Sequence, residues 1–194
     1  MPNKIRAVEK VFDNVDKKIL NFKQQSGLNC VSGCGFCCTK PDLEATVLEF
    51  LPLAYHLYKS DQAEKLLQQL EDQPDTICVM FKRLKTEGDA GFCSAYQHRG
   101  LICRLFGFSG VSDKYGKPVF STCKKIKEYF PELYQKVNDD IRQGLAIPMM
   151  RNSYFHLQSI DQNLTNKYFP VNLAIKYAIE TVLMYYFYRV KRVS

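Results

Sequence analysis

The sequence has no long apolar run. Its most apolar stretch, Thr181 to Tyr188, is bounded by Glu180 and Arg189, far short of the roughly 20 residues a membrane-crossing helix needs. Met1 to Val15 is charged throughout and has no apolar core like that of a secretory signal. No membrane partner and a cytoplasmic location are the expectations, and in that compartment thiols stay reduced. The sequon Asn163-Leu164-Thr165 then has no meaning. Also missing are a G-x-x-x-x-G-K phosphate loop, a Ser-His-Asp order and a paired-carboxylate arrangement, so P-loop phosphoryl transfer and the familiar hydrolytic sites find no support. Internal repeats and low-complexity linkers are absent. With 46% hydrophobic and 13% aromatic residues the composition is that of a folded protein. A chain of 194 residues can bury one sizeable core, which predicts a single domain over 1–194.

Cysteine is what the chain has in quantity. Four of its 8 cysteines fall in one short stretch, Cys30-Val31-Ser32-Gly33-Cys34-Gly35-Phe36-Cys37-Cys38, spaced C-x3-C-x2-C-C. Folding sulfurs inward onto one point needs backbone conformations that glycine adopts most readily, and Gly33 and Gly35 flank Cys34. Four free neighbouring thiols would be an oxidation hazard, so metal capture explains the density best. The other four, Cys78, Cys93, Cys103 and Cys123, are separated by 14, 9 and 19 residues. That spacing is too loose to specify a metal. Added to the tight cluster it supplies eight thiols, enough for two tetrathiolate sites or one site with partners.

The formal charge of +7 counts those thiols as neutral. As metal ligands they are thiolates: eight would bring +7 to −1, and two divalent ions would return it to +3. Part of the basic excess therefore offsets the site, and nucleic-acid binding is not expected.

Helical periodicity dominates elsewhere. Ile5, Val8, Val11, Phe12, Val15, Ile19 and Phe22 predict an N-terminal helix over 3–25 that ends near Gly27 and delivers the cysteine loop. A second helix is expected from Pro41 to Tyr58 with a kink at Pro52, and a third from Ser60 to Leu70, followed by a turn at Gln73-Pro74-Asp75. Ile77 to Cys123 carries six glycines and reads as loops draped over the site, with short strands near Cys78–Phe81 and Val119-Phe120. C-terminal helices are expected over 122–192, divided at Pro131, with Tyr154, Phe155 and Leu157 forming a short strand and Arg189, Lys191 and Arg192 a basic tail. The fold class is mainly α: a small helical domain, a metal-binding core at about 28–125, and few strands.

The cysteines in this order, with Cys78-x2-Phe81, Cys93-x2-Tyr96-x2-Arg99 and Cys103-Arg104, resemble the YkgJ-type cysteine-cluster proteins, whose zinc- or iron-chelating domains are of the CxxCxxCC type. The resemblance covers Cys30 to Cys123. Gly100 stands where that family commonly has proline. The resemblance implies cysteine-ligated metal on an α-rich fold, with all of Cys30, Cys34, Cys37, Cys38, Cys78, Cys93, Cys103 and Cys123 as metal residues. It implies little about a reaction.

Zinc and iron–sulfur remain open. Cys34 and Cys37 make a knuckle of the kind zinc uses. Cys30, Cys34 and Cys37 with one distant cysteine suit the wider span of an iron–sulfur cluster, such as a 4Fe–4S cube, and the spacing favours it. The same C-x3-C-x2-C occurs in radical enzymes that use S-adenosylmethionine, but those need a partial barrel for which this chain is too short and too poor in strands. His98 could replace a cysteine, though a solvated loop histidine is the plainer reading, while His56 and His156 read as packed residues. Arg99, Arg104, Lys124 and Lys125 could donate to thiolate sulfur. The function expected is non-catalytic: chelation, storage, sensing or structural stabilisation by metal. The alternative is a cluster-bearing component of an electron-transfer or methyltransferase-like protein-modifying system, with a protein partner.

Overall fold

The computed structural model describes residues 1–72, 77–84 and 90–190. About 58% of the described residues are helical, and among them strands are few and short. The N-terminal helix α1 runs Pro2–Ser26 and buries Ile5, Val8, Phe12, Val15, Ile19 and Phe22, the face its periodicity marks out. Gly27 ends it in a left-handed conformation at φ 72°, where the Gly27 N–H closes onto the Lys23 carbonyl at 2.9 Å.

Where one long helix was expected after Pro41, the chain does something else. Residues 41–42 turn, Glu44–Ala45 form strand β1, Leu48–Phe50 make a single 3₁₀ turn, and only Leu51–Lys59 is the α-helix α3. The short helix α2, Phe36–Thr39, precedes them. Pro52 lies in the first turn of α3, where its missing N–H costs nothing, so it starts a helix and does not kink one. Strand β1 pairs with β6, Phe169–Pro170, which leads directly into the last helix α9, Val171–Val190. Helices α3 and α9 pack together, with Tyr58 and Tyr186 stacked at 4.5 Å between ring centroids. The third helix, α4, spans Ala63–Asp72 and also lies on α9.

The central segment is more ordered than its glycines suggest. Strands β2 (Phe81–Arg83) and β3 (Gly91–Cys93) form one antiparallel pair, and β4 (Ser109–Ser112) and β5 (Pro118–Ser121) another. The first strand therefore begins at Phe81, after Cys78 to Met80. Between the pairs lies helix α5, Leu101–Leu105, whose Leu101 and Leu105 are completely buried. Beyond Cys123 come α6 (Lys124–Tyr129) and α7 (Pro131–Arg142), separated at Pro131 as expected. Tyr154, Phe155 and Leu157 belong to helix α8, Met150–Gln158, and not to a strand. Ser153, Tyr154 and Leu157 are buried there, at helical spacing. The Gln73-Pro74-Asp75 turn and the tail at Lys191 and Arg192 lie outside the described residues, as does the side chain of Arg189. Among the described residues no helix is long and apolar enough to cross a membrane.

Candidate metal centre

The helix α1 ends one turn before Cys30, and Gly33, at φ 67°, reverses the chain behind it. The Gly33 carbonyl accepts the Gly91 N–H at 2.9 Å, and Cys34 bridges Ala90, so the tight loop is laid against the β2–β3 pair. Four residues on, the Cys38 carbonyl accepts the Cys78 N–H at 2.9 Å. Asn172 of α9 holds the Cys78 segment from the other side: its side chain accepts the Val79 N–H and donates to the Ile77 carbonyl, both at 2.8 Å. Cys93 ends β3 opposite Phe81. Cys103 rides on α5, and Cys123 leads into α6.

These elements bring all eight cysteines, Cys30, Cys34, Cys37, Cys38, Cys78, Cys93, Cys103 and Cys123, to the wall of one cavity of about 440 Å³. None is in a disulfide. Among the described residues no carboxylate or imidazole lines this cavity, and no three potential ligands are placed as a ready cage for one ion. The sulfurs stand around a space instead of converging on a point. An all-thiol donor set fits zinc or iron–sulfur and does not fit magnesium or calcium. Sulfur position depends on one side-chain torsion, so rotamer changes move the sulfurs toward or away from one another.

The thiols perturb one another. Interaction first with the Cys37 thiol, then with those of Cys78 and Cys93, holds the Cys38 thiol protonated, its pKa raised. The Cys38 thiol in turn lowers Cys37, and lowers Cys93 to about 7. Burial, with Cys34 and Cys123 close by, pushes Cys30 up to about 11. Burial likewise raises Cys103 and Cys123. Thiols crowded in this way resist joint ionisation unless a cation is among them.

Of the four cations weighed from sequence, Arg99 faces the thiols and contributes to lowering Cys37 and Cys93. Its guanidinium lies 3.8 Å over the Tyr96 ring. Arg104 also lines the cavity, but its donors are taken: it pairs with Asp16 and donates to the carbonyls of Gln97 at 2.7 Å and Arg99 at 3.1 Å, tying the loop after Cys93 to α1. Lys124 pairs with Glu128 on its own helix, and Lys125 lies over the Phe36 ring. His98 does not line the cavity but stacks on the exposed His56 at 4.1 Å, while His156 is exposed.

Sequence reasoning missed Lys23 and Glu49. Lys23 lines the cavity beside Cys30, and its position four residues after Ile19 on the buried face of α1 was the available signal. Glu49 is wholly buried and accepts four hydrogen bonds: from the Thr46 N–H (2.7 Å) and hydroxyl (3.0 Å), the Ile102 N–H (2.7 Å) and the Tyr154 hydroxyl (3.3 Å). It joins the turn before α3 to the helix carrying Cys103. A lone acid in the apolar run Val47 to Leu53 was its signal.

The backbone at Gly100 has φ −63°, which proline would also adopt. What a side chain meets there is the Phe50 ring, 2.8 Å from the place a Cβ would take.

No curated protein and no solved structure matches the chain. A family model described as a "putative zinc- or iron-chelating domain", CxxCxxCC, matches residues 29–129, just over half of the chain and the whole span from Cys30 to Cys123. By that match the chain belongs to the CxxCxxCC family of zinc- or iron-chelating domains.

Proposed function

We propose that this protein holds its metal through the eight cysteine thiolates as an iron–sulfur cluster, in a non-catalytic storage, sensing or structural role. The observation that carries the reading is the size and lining of the cavity. A single zinc ion draws four sulfurs to about 2.3 Å from one point and leaves no room between them. A cavity of about 440 Å³ ringed by eight thiols suits a polynuclear centre better. It is many times the roughly 30 Å³ occupied by one water in the liquid. The glycine-rich loop and the β2–β3 pair wrap that centre. Cys30, Cys34 and Cys37 supply the tight loop, and Cys123, beside Cys30 and Cys34, is the distant fourth thiol. Lys23 and Arg99 offset the thiolate charge. Ligation entirely by cysteine leaves no open metal position, which favours holding metal over catalysis at it. A reducing cytoplasm is the compartment this thiol set requires, and the chain acts there as one domain. When bound, a cluster would supply one-electron chemistry and structural cross-linking.

The test is anaerobic purification followed by a visible spectrum and elemental analysis. A brown protein with a broad visible band and matching iron and acid-labile sulfide is the expected result. A colourless protein with zinc would replace the cluster by zinc sites, and a protein with neither metal would defeat the reading.

A further inference from the structure

The wall that carries the thiols also carries cations. Lys23 of α1, Arg99 and Arg104 line the cavity, whereas among the described residues no carboxylate does. Asp16 of α1, outside the cavity, is shared by the two arginines: one oxygen pairs with Arg104, and the other stands 3.7 Å from an Arg99 nitrogen. Three cations less one carboxylate leave two positive charges in surplus. Lys23 pairs with no carboxylate among the described residues, and its ammonium lies 4.2 Å above the Phe108 ring. Arg99 donates to the Tyr96 carbonyl at 3.3 Å and is beyond hydrogen-bond reach of Asp16, so most of its donor fork is untaken.

Cys30, Phe92 and Tyr96 line the cavity and are exposed, so it opens to solvent there. Arg99 stacks on Tyr96 at that opening, and Lys23 stands near Cys30. Both cations rest on elements with apolar support of their own. Lys23 is on α1, and Arg99 immediately precedes α5, with its carbonyl held by Arg104, the residue that pairs with α1. An ion on its way to the sulfurs passes these cations first, and an un-ionised thiol sets no charge against them. Such an entrance repels a hydrated divalent cation and draws in an anion. Guanidinium and ammonium are also the groups that bind carboxylates, guanidinium through two parallel N–H donors. A cavity of about 440 Å³ leaves room for an ion that enters with an organic ligand still on it.

We propose that Lys23 and Arg99 form a receiving site for metal in anionic form, as a small polycarboxylate chelate, and that the cavity does not take its metal as the free hydrated cation. This rests on the metal-holding role proposed above and adds the form in which the metal arrives. Lys23 and Arg99 take the carboxylates, which brings the metal to Cys30 and the sulfurs behind it. Transfer is ligand exchange: a metal–oxygen bond to carboxylate breaks as a metal–sulfur bond forms. The thiol proton passes to water, the carboxylate leaves as the free anion, and the oxidation state of the metal does not change.

The experiment offers cobalt(II), a coloured stand-in for zinc or ferrous iron, to the metal-free full chain without oxygen, either as the chloride or in excess citrate. Sulfur-to-cobalt charge-transfer absorption, followed by stopped flow, reports arrival at the thiols. Wild type is compared with Lys23→Gln, Arg99→Gln and Lys23→Arg, with far-UV circular dichroism and final absorbance checking fold and capacity. Uptake from citrate should fall about tenfold in each glutamine variant while uptake from chloride rises, and Lys23→Arg should stay near wild type with both. An equal loss with both forms of cobalt, or no change with either, overturns the proposal. So does a wild-type rate that falls in proportion to free cobalt as citrate is added, since the metal would then enter as the free ion. Where one glutamine variant fails to fold, the other carries the comparison, and added salt must still slow the citrate form and speed the chloride in wild type. A wild type that takes up no cobalt from either source defeats the metal-holding role itself, a result distinct from uptake with the wrong sign.

Discussion

Glu49 is the residue whose titration the surroundings reshape most legibly. Burial holds its carboxyl above the usual carboxylate range, against the pull of the four donors around it. A raised folded-state pKa means that the stabilisation is complete below the ordinary value near 4.5 and is lost as pH rises through the raised one. Glu49→Gln cannot titrate, and its amide N–H₂ would meet a backbone N–H at Thr46 or Ile102. We expect it to be less stable than wild type by about 1–3 kcal/mol in mildly acidic buffer, with the gap narrowing toward neutral pH. Denaturant unfolding of both proteins at matched pH checks this; a gap that widens with pH would contradict it. Gly100 makes a second expectation. Gly100→Ala keeps an allowed backbone but drives Cβ into the Phe50 ring, itself only 2% exposed. The cost should be about 1–3 kcal/mol, and combining it with Phe50→Leu should cost less than the two changes summed in a double-mutant cycle. Neither contact could be read from sequence, because each joins residues about fifty positions apart.

At the scale of elements, what was legible was periodicity. The buried face of α1 and the break at Pro131 both follow from 3.6-residue spacing and proline chemistry. The error at residues 41–50 has a physical origin: Leu43, Val47, Leu48 and Leu51 fit a helical period, yet β1 is drawn out of it by pairing with β6, 126 residues further along by the Glu44–Pro170 register. Glycine content misled in the other direction. Leu101, Leu105, Phe108 and Phe120 bury themselves in the core, so α5 and the β4–β5 pair have apolar support of their own. The stretch from Ile77 to His98 has far less: Phe81 and Ala95 are its buried apolar residues among those described. Chelation should therefore loosen 77–98 first and leave α5, β4–β5 and the long helices formed. Hydrogen exchange before and after metal removal would show protection falling in β2–β3 alone. Equal loss through α5 and β4–β5 would mean that metal organises the whole central segment.

Across the whole molecule one contiguous apolar core draws on α1, α3, α5, α7, α8 and α9. Ile179 of α9 belongs to it with no exposed surface. Ile179→Ala should cost about 2–5 kcal/mol and lower the denaturation midpoint while metal per folded chain stays unchanged, since Ile179 does not line the cysteine cavity. The cavity, though, is walled by more than the cysteine-bearing segment. Ile19 and Lys23 of α1 and Ile175 of α9 line it from outside residues 29–129. Part of the sulfurs' surroundings thus comes from outside the cysteine-bearing stretch, and that part can vary independently of the donors. Substitutions in α1 or α9 would adjust how dry and how positively charged the sulfurs' environment is without removing a single donor. The reduction potential or metal preference of such a centre could drift in evolution while its cysteine pattern stayed fixed.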